Sequence, residues 1–329
     1  MQISIQTPPE HTTYRDLLDV WQAADELGFT AAYTFDHLVP LNDGPSGPDP
    51  DGIPAGPQLE GWMALAALAS HTTRLQVGTL VTGVTYRHPS VLAKMAVTLD
   101  RITDGRAVLG LGAAWHQAEH ERYGIPYPEV GERMERLDEA LQVFRALCGA
   151  EHTGGRATFE GRWYSLDDAP FDPPPVRAEG IPVLVGGSGP RLLQLVARHA
   201  DIYNGFWAPW EWAEVNRRLD GLLAARDRAP DALQRTAFVF GELSGDPVAE
   251  DALVAHFARQ RGGTDEEIRS RILIGSPDHM VEVLRSFAAA GVDGVIVNLR
   301  SPVDLAGLER LGTEVLPAVA DLPAGPPTA

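Results

Sequence analysis

A chain of 329 residues, 44% apolar and 22% charged, is long enough for a large core and fits one α/β barrel as readily as two smaller domains. A formal charge of −18 argues against nucleic-acid or anionic-membrane partners, which reward surplus Lys and Arg. No apolar run approaches the roughly 18 residues that span a bilayer, the start MQISIQTPPEH has no signal-peptide pattern, and the single cysteine, Cys148, can form no internal disulfide. The expectation is a cytoplasmic protein with no membrane partner.

Taken in chain order, short β-favouring runs alternate with amphipathic stretches. Residues 3–6 read as a first strand, followed by a helical stripe of Leu17, Trp21, Ala24 and Leu27 closed by Gly28. Residues 32–35 form a second strand ending in Asp36-His37. The segment 40–59, rich in Pro, Gly and Asp, is too long for a turn and reads as a lid or a disordered decoration. Residues 75–81 make a third strand, then Pro89 opens a stripe of Leu92, Met95, Leu99 and Ile102. Residues 107–112 are a fourth strand. After it comes an insertion, 113–181, with a helix over 131–148 (Met134, Leu137, Leu141 and Phe144 on one face) and a hairpin turning at Glu160-Gly161.

Residues 182–186 and 201–206 supply strands five and six, and 237–243 the seventh. A polar, helical insertion follows at 245–272. Ser276-Pro277, Met280, Leu284, Phe287 and Gly291 mark the last full helix before an eighth strand at 294–299. Nearly continuous apolar strands are those buried on both faces, and eight of them alternating with helices predict a closed (β/α)8 TIM barrel with insertions after strands 2, 4 and 7. The open-sheet alternative would show G-x-G-x-x-G/A, and the nearest match, starting at Gly110, fails at Trp115. One barrel domain over 1–321 and a frayed tail over 322–329 complete the layout.

Four segments carry chemical interest. HQAEH, with His116, Glu119 and His120, matches the H-x-x-E-H pattern of zinc proteases, but no third ligand is evident and Gly124 cuts the helix short. Two solvated histidines are one alternative; another is that Trp115 and Glu119 face a ligand. Gly186-Gly187-Ser188-Gly189, between strand and helix, is either a phosphate cradle of free amides or a plain tight turn. Asp36 and His37 sit at a strand's C-terminal end, where barrel sites lie, although a helix cap and a loop histidine would read the same way. Thr79, Thr82, Thr85, Tyr86 and Arg87 crowd the exit of the third strand, suggesting a distorted backbone beside a ligand. With no nucleophile elbow, Walker loop or Cys/His dyad, a cofactor is expected to supply the chemistry.

YTFDHL at 33–38, GTLVTGVTYRHPSVLAKMAVTLDRITDGRAVLGLGAAWHQAEHERYGIPYP at 78–128, GERMERLDEAL at 131–141 and PVLVGGSGPRLLQLVARHAD at 182–201 together resemble the luciferase-like monooxygenase superfamily, above all its branch of coenzyme F420-dependent oxidoreductases. The resemblance covers nearly the whole chain. It implies a (β/α)8 barrel, a homodimer and a deazaflavin ring in the barrel mouth that exchanges hydride at C5 with a small organic substrate. Asp36 and His37 match the pair that meets ring and substrate, with Glu119 a further candidate for the proton. Thr79-Leu80 matches a ring-supporting bulge, often with a non-prolyl cis peptide. The cofactor contacts expected are Thr79, Leu80, Thr82, Gly112, Trp115, Gly186, Gly187, Ser188 and Gly189, and no metal ligand is assigned. FMN is the alternative cofactor, with monooxygenation as its chemistry, and a zinc peptidase the remote one. Sugar-phosphate dehydrogenases of the superfamily carry a catalytic glutamate about where Trp115 stands, so their proton donor does not transfer.

Overall fold

A computed structural model describes residues 1–41, 54 and 56–322; most of the expected lid at 40–59 and the tail at 323–329 lie outside the described residues. Eight parallel strands close into a barrel: β1 (Gln2–Gln6), β2 (Ala31–Thr34), β3 (Gln76–Thr79), β5 (Ala107–Gly112), β8 (Val183–Gly186), β9 (Ile202–Gly205), β10 (Gln234–Gly241) and β11 (Gly294–Leu299). β1 pairs with both β2 and β11, and the β3–β5 pairing seals the ring. A two-residue piece, β4 (Thr82–Gly83), runs beside the end of β5. The hairpin of the insertion after the fourth barrel strand is β6 (Arg156–Glu160) and β7 (Ser165–Pro170).

The helices are α1 (Tyr14–Leu27), α2 (Gly61–Ala69), α3 (Pro89–Ile102), α4 (Gln117–Tyr123), α5 (Val130–Cys148), α6 (Pro190–His199), α7 (Pro209–Ala224), α8 (Pro247–Arg261), α9 (Asp265–Arg269), α10 (Pro277–Ala289) and α11 (Leu305–Arg310). Local chemistry sets their ends. Thr13 and Asp16 form a reciprocal capping box on α1, and Gly28 ends it at φ 88°, a conformation that costs glycine nothing. Ser276 accepts from the His279 N–H to start α10, with Pro277 at the first helical position. Among the described residues no helix is long and apolar enough to cross a membrane.

The barrel interior is packed with Ala31, Tyr33, Val108, Leu184, Ile202 and Ile296, with Leu80 closing the layer at the top. Outside it the helices bury their apolar stripes. Trp21, fully buried on α1, also donates from its indole N–H to the Thr7 hydroxyl at 2.8 Å. Cys148 is buried as expected, and burial pushes its thiol up to about 12.

Four expectations shift. The third strand does not run unbroken over 75–81. It stops at Thr79, resumes at Thr82 and carries a cis peptide at Leu80–Val81, one bond beyond the expected place. The stripe of α3 uses Leu92, Ala96 and Leu99, with Met95 partly buried beside them, while Ile102 is half exposed. β10 begins three residues early, because Arg235 is fully buried there: its side chain pairs with Asp220 and its N–H donates to Asp293. Leu322 is docked, not frayed, since its carbonyl accepts from the Met1 ammonium at 3.0 Å.

Candidate active site

The C-terminal ends of the strands form the mouth, and β2 delivers Asp36 and His37 to it immediately after Thr34. Across the mouth, α4 starts at its cap residue His116 and stops at Gly124, which adopts φ 66°; one turn in, it presents Glu119. The Glu119 carboxylate is fully buried and lies 2.8 Å from His37 Nδ1. The Leu38 N–H donates to its other oxygen at 2.7 Å, and the Tyr86 hydroxyl donates to the oxygen shared with His37. Burial favours the neutral acid, yet the bonds from His37, Tyr86 and Leu38 outweigh it and hold Glu119 down at about 2.

Glu119 is therefore ionised at neutral pH, and His37 must donate from Nδ1. The other ring nitrogen, Nε2, has no partner among the described residues. The bond from His37 Nδ1 to Glu119 fixes the orientation of the imidazole at the mouth. Phe35 packs edge-on against the same ring at 5.1 Å and Trp115 at 5.6 Å.

The depressed carboxyl has a consequence for stability. Its folded value lies below the ordinary 4.5, so the stabilisation it contributes is fully present above that pH and is lost as pH falls toward about 2. In denaturant titrations from pH 7 down to pH 3, wild type is expected to lose more stability than Glu119→Gln. Equal losses would show that the carboxylate is not held ionised by these bonds.

Asp36 points elsewhere. It is buried to 1% exposure and pairs with both terminal nitrogens of Arg87, at 2.5 and 3.1 Å. Arg87 also reaches Glu60 at 2.6 Å, and Glu60 caps α2 by accepting the Met63 N–H. Burial works against the guanidinium, but Asp36 and Glu60 together keep it charged and lift its pKa. Asp36 thus anchors the segment that carries His37. Glu60, a lone acid at a loop end, has no sequence pattern that would have singled it out.

HQAEH does not converge on a metal through its two histidines. His116 precedes the helix and His120 lies within it, with both ring nitrogens of His120 engaged: Nδ1 donates to the His116 carbonyl at 2.8 Å and Nε2 accepts from the Thr85 hydroxyl at 2.6 Å. His120 stacks on Tyr86 at 4.9 Å and props the hydroxyl that faces Glu119. His116 turns the other way, its Nδ1 3.8 Å from Glu119.

Several residues expected at the cofactor also hold the barrel wall together. The hydroxyls of Thr79 and Thr82 lie 3.0 Å apart; Thr79 donates to the Gly110 carbonyl and Thr82 accepts from the Trp62 indole. Both residues are fully buried, so neither hydroxyl faces the mouth. Gly112 and Gly186 flank Val81: a Cβ on Gly112 would come within 2.8 Å of one Val81 methyl, and one on Gly186 within 3.1 Å of the other. The carbonyl of Leu80 accepts from Gln6 at 2.6 Å, leaving Leu80 and half-buried Val81 as a shelf over the packed interior.

At the glycine corner, the Gly187 N–H is taken by the Asn204 carbonyl at 3.1 Å, so it is not among the available donors. The N–H groups of Ser188, Gly189, Arg191 and Leu192, leading into α6, have no partner among the described residues. Gly187 and Gly189 sit at φ 130° and 101°, which a side chain rarely adopts. Trp115 is 63% exposed at the rim.

The luciferase-like monooxygenase family profile matches residues 1–260. The chain belongs to that family. It is 30% identical over 335 residues to an F420-dependent glucose-6-phosphate dehydrogenase of Nakamurella multipartita, covering 93% of each chain. A second protein of that name, from Microbacterium testaceum, is 37% identical over 192 residues, an alignment spanning 57% of this chain and 51% of that one. Among solved structures, an F420-dependent secondary alcohol dehydrogenase in complex with an F420-acetone adduct superposes with a TM-score of 0.81 over 97% of this chain and 99% of its own, at 20% identity, a likeness of fold. As a luciferase-like protein this chain is an oxidoreductase, and its barrel places one buried carboxylate behind one imidazole at the mouth.

Proposed function

We propose that this luciferase-like barrel is an F420-dependent oxidoreductase acting on an alcohol or the matching carbonyl, with His37 as the group that moves the proton. The observation that carries the reading is the buried Glu119 carboxylate 2.8 Å from His37 Nδ1, which leaves Nε2 free to face a substrate. The named activities of the relatives favour F420 over FMN.

The residues fit such a cofactor. The open amides at 188, 189, 191 and 192 stand at a helix start, where the dipole and unpaired N–H groups attract phosphate. Leu80 and Val81 offer an apolar shelf for a flat ring. Bound there, a deazaflavin supplies hydride transfer at C5. The chain's own contribution is the proton. Neutral His37 accepts the substrate hydroxyl proton at Nε2, and the ionised Glu119 stabilises the imidazolium that forms; in the reverse direction the same imidazolium donates to a carbonyl. Tyr86 and the Leu38 N–H fix Glu119, so the imidazole needs no reorientation between the two directions.

Titration with F420 and, in parallel, with FMN tests the reading. Saturable F420 binding on the order of tens of micromolar or tighter is expected; failure of F420 to bind, or preferential binding of FMN, would reject it. Gly189→Val introduces a Cβ at a positive φ, at a cost of roughly 1–2 kcal/mol, and is expected to weaken F420 binding about tenfold. Unchanged affinity would move the phosphate away from this corner.

A further inference from the structure

We propose that His37, His116 and Glu119 form a site for a divalent transition-metal ion of the zinc class, at which the ion silences the proton-moving histidine. Each of the three residues offers one ligand atom, and these atoms lie within 4.8 Å of one another. The ligands of a tetrahedral zinc ion stand roughly 3.3 Å apart, given metal–ligand bonds of about 2.0–2.2 Å. Here His37 Nδ1 and His116 Nδ1 are 2.8 and 3.8 Å from the same Glu119 oxygen, so the spacing brackets what the ion needs.

A second observation points to a ligand. His116 Nδ1 is buried and has no hydrogen-bond partner, an arrangement that costs free energy unless something else satisfies it. The residue is held in place nonetheless: its carbonyl accepts from His120, and its ring lies 5.0 Å from that of Trp115. Glu119 is fixed by the Leu38 N–H on the oxygen that need not turn. Two imidazoles and a carboxylate form a donor set suited to zinc, cobalt or iron, three protein ligands being the number that leaves a tetrahedral ion one position for solvent. The site differs from the one H-x-x-E-H suggests, since His37, 82 residues away from Glu119, replaces His120.

When the ion takes His37 Nδ1, the ring's single N–H proton moves to Nε2, where the lone pair had been; the neutral, metal-bound imidazole cannot accept another. The loss of activity rests on the function proposed above; the binding does not.

Cobalt(II) added to metal-free full-length protein and dialysed reads the site without turnover. One equivalent should be retained, with the visible d–d absorption of a four- or five-coordinate ion. His116→Ala and His116→Gln, each confirmed folded by circular dichroism, should bind at least about tenfold more weakly, and the exposed His71→Ala should match wild type. No retention by wild type, or equal retention by the His116 variants, would overturn the site. Cobalt bound there with full turnover would overturn the silencing. Failure to bind F420 is a separate result and bears on the proposed function alone.

Discussion

His37→Asn is expected to lower kcat about 100- to 10,000-fold, the range over which a positioned general base or acid acts, with F420 affinity unchanged within a few-fold. The asparagine amide nitrogen comes close to where Nδ1 lies and can still donate to Glu119, so the pocket keeps its shape. What disappears is Nε2, the ring nitrogen that has no partner among the described residues. Glu119→Gln should also lower kcat, since a neutral amide can donate to Nδ1 and hold the opposite tautomer. The assay is the change in deazaflavin absorbance on whichever member of an alcohol and carbonyl panel turns over. A His37→Asn enzyme within threefold of wild-type kcat would remove His37 from the chemistry.

Arg87→Met should destabilise the protein by about 3–5 kcal/mol. Asp36 is 1% exposed and would be left as a buried charge facing an apolar side chain, whereas Glu60, at 37%, can turn to solvent. Adding Asp36→Asn to Arg87→Met should recover a large part of the loss, because the neutral amide removes the uncompensated charge. A double-mutant cycle in urea supplies the number. The exposed Arg15–Asp19 pair at 3.4 Å is the internal contrast, expected to contribute only about 0.2–1 kcal/mol. Should Arg87→Met cost no more than that, the triad would be a surface feature and not the anchor of the His37 segment.

Patterning made the barrel readable in advance. Its strands are buried on both faces, so β5 and β11 appear in the sequence as nearly continuous apolar runs, broken in β11 only by Asn298, whose limits agree with the structure to the residue. Where a strand carries a buried charge, as at Arg235, the same rule misplaced its start. Cap chemistry likewise fixed helix ends at Gly28, Gly124 and Ser276, because capping is decided within a few residues.

At the mouth, the sequence named His37, Glu119 and the glycine corner as candidates, and strand position put them on the C-terminal face of the barrel. It could not say that Thr79 and Thr82 turn into the wall, that Asn204 occupies the Gly187 N–H, or that Asp36 pairs with Arg87. Each depends on a partner tens of residues away, and hydroxyls and amides look alike in a sequence until that partner is in place. The roles within HQAEH were decided the same way. Residue spacing along one helix would pair His116 with His120, but the fold brings His37 to Glu119 and gives both nitrogens of His120 to its neighbours. Periodicity and capping are local, and the chain carries them openly. A hydrogen bond across a barrel mouth exists only once the ring has closed.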